Sequence, residues 1–332
     1  MMKIILASPN FHQERGNTIT VKRISDGLRR LGADTKIVSS TERPASPLPQ
    51  GDIVHGFHAY RFFLYKKELG MPIDNYVITM TGTDLNQDLF HHERRQDIIR
   101  TLQEAKAITV FNEQAKQLLI SEVPDAEAKV YVIPQGRSQF EVMEPVFKKE
   151  QNTFVFLLPA GIRKIKNIPF AIASLKKLHD RYPHIRLVIS GPVIEEEEGS
   201  YVKKLAEQED WIDYIGQIPH SKMGSLYECA DALLNTSISE GQPAAIIEAM
   251  DCGLPVLVSA NEGNISLVKH GTTGFVYQNE VEFLAYAERL INNYEIRKKL
   301  GAAAENYIAE HHSNVSEAES MLRIYSRVLA PS

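Results

Sequence analysis

An α/β protein with two doubly wound parallel-sheet domains is predicted by three observations. Apolar runs of strand length alternate with helix-length amphipathic segments, the pattern of βαβ units on a parallel sheet. The alternation lapses once, in the charged, proline-containing segment 138–153, and then restarts. The chain has 332 residues, enough for two domains of roughly 100–200 residues each, both able to bury a core. A first domain is therefore placed at 1–148 and a second at 152–314.

The first half opens with the apolar strand "KIILAS", followed by the helix "NTITVKRISDGLRRLG", which ends at Gly32. "DTKIVS", "DIVHGFH" and "NYVITMTG" read as strands, being short and rich in β-branched residues. The helix "QDIIRTLQEAKA" leads into the strand "AITVFN", and "EQAKQLLISEV" and "KVYVIPQG" complete the half as helix and strand. The second half repeats the scheme. Strand "TFVFLLPAG" precedes helix "NIPFAIASLKKLHDRYP", strand "IRLVISGP", helix "GSYVKKLAEQED" and strand "WIDYIGQI". Helix "SKMGSLYECA", strand "DALLNTS", helix "PAAIIEAMDCG" and strand "PVLVS" follow. The last segment, about 315–332, is a helix with an apolar stripe at Met321, Leu322, Tyr325, Val328 and Leu329. Such a stripe must dock, and the first domain is a place to which it can return. Ligands of doubly wound sheets bind beyond the C-terminal strand ends, so the expected site is a cleft between the two domains.

Composition narrows the function. A formal charge of −5 argues against a nucleic-acid partner. Cys229 and Cys252 lack partners at metal-ligand spacing and read as small buried residues in a reducing cytoplasm. The run "EEEE" at 195–198 reads as a solvated loop between strand and helix. "MMKIILASPN" is too brief for a signal peptide, and no apolar stretch reaches the ~18 residues that span a membrane. "RR" and "KK" pairs leave weak peripheral membrane contact open, though no basic amphipathic helix supports it. The glycine fingerprint of dinucleotide binding, the P-loop, the zinc-protease pattern and the nucleophile elbow are all missing, which counts against a nicotinamide oxidoreductase in particular.

Three loops can carry chemistry. Gly16 and Asn17 stand where the first helix begins, as a plain cap or as an open approach for an anion. Arg163, Lys164 and Lys166 lie between a strand end and a helix start, where the helix dipole disfavours cations unless an anion joins them. Glu240-Gly241-Gln242 forms a turn, with Pro243 suited to the first helical position. Ala244 and Ala245 leave that helix end sterically open, and Glu248 lies about one and a half turns further on. Open amides suit phosphate and paired carboxylates suit hydroxyls, which together fit a phosphorylated, polyhydroxylated ligand.

"EGQPAAIIEAMDCGLPVLVS" followed by "GNISLVKHGTTGFVY" resembles the retaining nucleotide-sugar glycosyltransferases of family 4, a two-Rossmann-domain GT-B group. Their hallmark of two glutamates with seven residues between them, then A-x-x-x-G-x-P-V, is matched by Glu240, Glu248, Ala249, Gly253, Pro255 and Val256. "GIRKIKN" resembles the family's phosphate-binding pair, carried to Arg163 and Lys166, and "VIPQG" resembles its interdomain motif. The resemblance implies a UDP- or GDP-sugar donor held without an obligatory metal or other cofactor. It implies Glu248 on the ribose, Glu240 near the reacting sugar carbon, and retention of anomeric configuration. It does not specify the acceptor.

One departure concerns the place where many relatives have histidine, here Thr81 in "TMTGTDL". "TGTD" resembles a subgroup that includes glycosyltransferase 1 domain-containing proteins and bacterial selenosugar synthases. Thr81 cannot serve as acid or base near neutral pH. His58, and behind it His55, are the histidines available at the preceding strand end, and Asp84 either binds a substrate or caps the following helix. A metal-independent retaining glycosyltransferase with Glu240, His58 and Asp84 as candidate catalytic residues is the expectation. A catalytically silent sugar-nucleotide binder is the alternative.

Overall fold

Two six-stranded parallel sheets carry the chain, each in its own unit. The computed structural model describes residues 1–13, 16–41, 48–140 and 144–330. The first unit comprises Met1–Ser138 with His312–Ser332, and the second Gln139–His311.

In the first unit the order is β1 (Lys3–Ser8), α1 (Gly16–Arg30), β2 (Asp34–Ser39), β3 (Ile53–Phe57), α2 (Ala59–Leu69) and β4 (Tyr76–Thr79). Then come α3 (Thr83–Asn86), α4 (His92–Glu104), β5 (Ala107–Val110), α5 (Glu113–Glu122) and β6 (Val130–Val132). The sheet order is β2-β1-β3-β4-β5-β6, so the winding reverses between β1 and β3. Side chains alternate across the pleat, and that period divides the core in two. Ile4 and Leu6 join Val21, Ile24 and Leu28 of α1, while Ile5 and Ala7 join Phe62 of α2 and Ile98 and Leu102 of α4.

The second unit runs β7 (Phe154–Pro159), α6 (Ile168–His179), β8 (Ile185–Ser190), α7 (Glu196–Glu207), β9 (Ile212–Tyr214) and α8 (Met223–Cys229). It continues with β10 (Ala232–Asn235), α9 (Ala244–Asp251), β11 (Val256–Ser259), α10 (Glu262–Ile265), β12 (Gly274–Tyr277), α11 (Glu280–Asn292) and α12 (Tyr294–His311). Its order, β12-β11-β10-β7-β8-β9, makes β7 and β10 neighbours from which the chain winds to opposite sides. Loops leaving their C-terminal ends therefore stand at the switch point of the sheet.

The terminal helix α13 (Asn314–Leu329) belongs to the first unit. Met321, Ile324 and Tyr325 enter the core beneath α1, and a Cβ at Gly27 would lie 2.7 Å from the Ala318 Cβ. The Arg23 guanidinium donates twice to Glu317, at 2.8 and 2.9 Å, with both side chains buried. His55 is also buried here, its Nδ1 2.6 Å from the Tyr325 hydroxyl and its Nε2 2.7 Å from Thr79 Oγ1.

Several expectations shift. The division falls at Ser138/Gln139, ten residues before the expected end of the first domain at 148, because Phe140, Val146 and Phe147 pack on the core of the second unit. Residues 141–143 of the expected linker lie outside the described residues. Glu196–Glu198 form the first turn of α7, where their charge complements the helix dipole, instead of a loop. Cys252 is exposed at the C-terminus of α9, not buried. α2, α3, α10, β12, α11 and α12 have no counterpart in the sequence reading. Among the described residues no helix is long and apolar enough to cross a membrane.

Candidate active site

The loops after β7 and β10 are stitched together. Ile238 N donates to Ile165 O at 2.8 Å, and Thr236 Oγ1 donates to Lys166 O at 2.9 Å. Lys166 ends a single 3₁₀ turn, Lys164–Lys166, after which Asn167 takes a left-handed conformation and α6 begins. This turn directs the Lys166 ammonium to Glu240 Oε1, 2.6 Å away. Ser237 Oγ at 2.6 Å and Asn235 Nδ2 at 3.2 Å donate to the same oxygen. The Lys166 and Glu240 side chains are only 14% and 10% exposed. Burial alone would raise the Glu240 carboxyl, but the Lys166 charge and the three hydrogen bonds outweigh it and hold the group below its ordinary value.

A polar network fixes this loop from behind. Ser237 O accepts from Ser259 Oγ at 2.5 Å and from Asn261 Nδ2 at 2.9 Å, and Asn264 Nδ2 donates to Ser259 O at 2.9 Å. Gly263 presses on the turn itself: a Cβ there would lie 2.6 Å from the carbonyl oxygens of both Glu240 and Gly241. Only a residue without a side chain permits that approach.

α9 begins at Ala244, with Pro243 in extended conformation as its cap residue and not, as expected, the first helical one. No side chain caps this helix, and Ala244 and Ala245 are half-exposed. Its N-terminal amides thus offer a partial positive charge to an anion. The expected basic cluster divides into three roles. Lys164 turns outward to Glu197, 2.9 Å away, and its backbone N–H donates to Glu195. Lys166 holds Glu240, and the side chain of the half-buried Arg163 has no ion-pair or hydrogen-bond partner among the described residues.

Glu248 sits deeper on α9, with its side chain 4% exposed. Its Oε1 is 2.7 Å from His220 Nε2 and its Oε2 accepts from the Tyr227 hydroxyl at 2.8 Å. Burial, then the neighbouring Glu248 charge, pushes the Tyr227 phenol well above its ordinary value and keeps it a donor.

The first unit holds the remaining candidates. Gly16 and Asn17 open α1, and a Cβ at Gly16 would meet nothing within 4 Å. His58 caps α2 with a left-handed φ of 79°, a conformation costly for a residue other than glycine. Asp84 lies within α3 and is not the cap of a following helix. Its Oδ2 instead accepts from Ala59 N at 2.8 Å, and its Oδ1 accepts from Thr81 N at 2.8 Å and Thr81 Oγ1 at 2.9 Å. Asp84 therefore braces the start of α2 and the backbone of His58. His58 Nε2 lies 3.5 Å from Asp88, which also takes the Arg94 guanidinium at 2.5 Å. Among the described residues no three His, Cys, Asp or Glu side chains group as a metal site.

Asn235, Ser237, His220, Tyr227, Asn261 and Gly263 are absent from the sequence reading, although all of them shape the site. "NTS" directly after the buried strand "DALL" was the available signal for the first two.

The profile of the glycosyl transferases group 1 family matches residues 139–307. Glycosyltransferase 1 domain-containing protein 1 of Xenopus tropicalis is 28% identical over 317 residues, spanning 90% of each chain. Alpha-monoglucosyldiacylglycerol synthase of Acholeplasma laidlawii is 26% identical over 172 residues, 50% of this chain and 42% of that one. Among solved structures, Anabaena HepE in complex with UDP and glucose superposes with a TM-score of 0.79 at 16% identity, covering 98% of this chain and all of that one. Sucrose-phosphate synthase from Thermosynechococcus elongatus superposes with a TM-score of 0.82 at 17% identity over the whole of both chains.

Proposed function

The chain belongs to the glycosyl transferases group 1 family and has the GT-B fold, and we propose that it transfers a sugar from a nucleotide-diphosphate sugar to an acceptor with retention of anomeric configuration. The observation that carries this reading is the Lys166–Glu240 pair beside the uncapped N-terminus of α9, with the Arg163 guanidinium, which no described residue pairs, nearby in sequence. In this reading Arg163, a second N–H of Lys166 and the amides at Ala244 and Ala245 hold the diphosphate, with Gly241 leaving the backbone approachable. An ammonium has three donors, so Lys166 can keep Glu240 while meeting a phosphate. These fixed positive groups stabilise the charge that grows on the leaving diphosphate, so no metal is obligatory.

Glu240, held ionised, faces the donor sugar near its reacting carbon, and Glu248 accepts from the ribose hydroxyls. On the acceptor side, His58 is the titratable group, while Asp84 acts by holding the strained backbone that presents it. Gly16 and Asn17 offer a further open helix start. The UDP and glucose bound by HepE support a UDP-sugar as donor, with a GDP-sugar the alternative. The setting is the cytoplasm, where Cys229 and Cys252 remain free thiols.

The test is to incubate the protein with UDP- and GDP-sugars, with and without candidate acceptors, and to measure the nucleoside diphosphate released. Release supports transfer. Binding without release for every pair would favour a silent sugar-nucleotide binder, which Thr81 and its bond to Asp84 also suit.

A further inference from the structure

His220 has no place in the chemistry above, yet it is built into the second unit with care. It begins a short 3₁₀ turn, His220–Lys222, immediately after the extended Pro219. Its ring meets the edge of Phe140 at 5.3 Å between centroids, and Phe140 also packs on Tyr227 at 5.8 Å. Phe140 can reach both only because residue 224 is glycine, where a Cβ would lie 2.6 Å from the Phe140 Cβ. The imidazole is thereby fixed in plane and aimed at Glu248, from which it is 28 positions distant in sequence.

A carboxylate only accepts, so the contact requires the proton on His220 Nε2. Tyr227 supplies the second donor, on the other oxygen. Two donors on opposite oxygens fix the rotation of the carboxylate as well as its place. They differ in depth. Tyr227 is buried, whereas the His220 side chain is 27% exposed. His220 therefore marks the side from which a ligand reaches Glu248.

We propose that His220 is the positioning residue for ribose recognition: its Nε2–H orients the Glu248 carboxylate toward the nucleotide's ribose diol. This rests on the nucleotide reading of Glu248 given above. A vicinal diol is read by a carboxylate whose lone pairs point along both O–H directions, and a carboxylate free to rotate loses that match. His220 thus confers discrimination between a ribonucleotide and its deoxy analogue, beyond its share in affinity.

The test is calorimetric titration of the intact protein with UDP and 2′-deoxy-UDP, and with GDP and 2′-deoxy-GDP. The wild type is expected to prefer the ribonucleotide about tenfold, the worth of one hydrogen bond to a charged group. His220→Ala is expected to lose that preference, its affinity for the ribonucleotide falling to the level of the deoxy analogue. His220→Gln, whose side-chain amide places a donor where Nε2 stands, is expected to restore most of it and guards against a simple folding defect. An undiminished ribose preference in His220→Ala, including one that accompanies an equal loss of affinity for both nucleotides, overturns the positioning role alone, as does a folded His220→Gln that lacks the preference. A wild type that binds neither UDP nor GDP overturns the nucleotide reading itself.

Discussion

Glu240 and Lys166 lie 74 positions apart in sequence, yet the loops after β7 and β10 bring them into contact. The pair is nearly buried, so removing one partner strands a charge that water cannot reach. Lys166→Met should lower stability by about 3 kcal/mol in urea denaturation, far more than an exposed ion pair would yield. The pH dependence has a definite sign. Glu240 has a folded-state pKa below its ordinary 4.5, so its contribution is complete above 4.5 and disappears as pH falls through the lower folded value. Denaturation followed down that range should show the loss in the wild type and its absence in Glu240→Gln. The sequence disclosed the two glutamates, because a carboxylate before an open helix and another within it are conspicuous locally. It could not disclose their partners. Asn235 and Ser237 are ordinary strand-end residues until the fold brings them to Glu240 beside Lys166, and His220, on the 3₁₀ turn before α8, and Tyr227, on α8, meet Glu248 only through the tertiary fold.

At the scale of elements, the position of the candidate site follows from two adjacent strands, β7 and β10, whose loops bond to one another. Gly263 in α10 closes the back of that arrangement. Gly263→Ala places a Cβ 2.6 Å from two carbonyl oxygens, so the turn at Glu240 and Gly241 must move. The variant should lose about 1–3 kcal/mol of stability, as overpacked sites do, and should bind nucleotide more weakly through displacement of Glu240. Thermal denaturation and calorimetry measure the two effects separately; unchanged nucleotide affinity would show that the turn tolerates the shift. The strands and the longer helices were legible because periods of two and 3.6 survive in short windows. Boundaries were less so: Glu196 starts α7 because acidic residues favour a helix N-terminus, and a charge run alone reads equally as a loop. The four-residue helices α3 and α10 carry no period at all.

For the molecule as a whole, the chain returns to its first unit through α13, which seals the core over β1 and β3 and covers His55. Burial lowers His55 from 6.5 to about 3, so the neutral ring contributes stability that is complete above 6.5 and is lost as pH falls toward 3. The first unit should therefore lose about 2 kcal/mol between about pH 7 and about pH 5, a window well above that of Glu240. Urea titrations at those two conditions measure this, and a flat response would mean that His55 is solvated. The two-sheet plan was legible from alternation, and the apolar stripe of α13 announced that it must dock. Where the first unit ends was not legible, since Phe140, Val146 and Phe147 are too sparse to form a pattern before the second core receives them. Sugar transfer through Glu240 is measured by release of nucleoside diphosphate from UDP- and GDP-sugars by the wild type and by Glu240→Gln, with folding checked by circular dichroism. The wild type should release nucleoside diphosphate, and the folded variant should lose at least a hundredfold in rate, about the scale of one fixed electrostatic group at a reacting centre. Full activity in folded Glu240→Gln would contradict that role of Glu240.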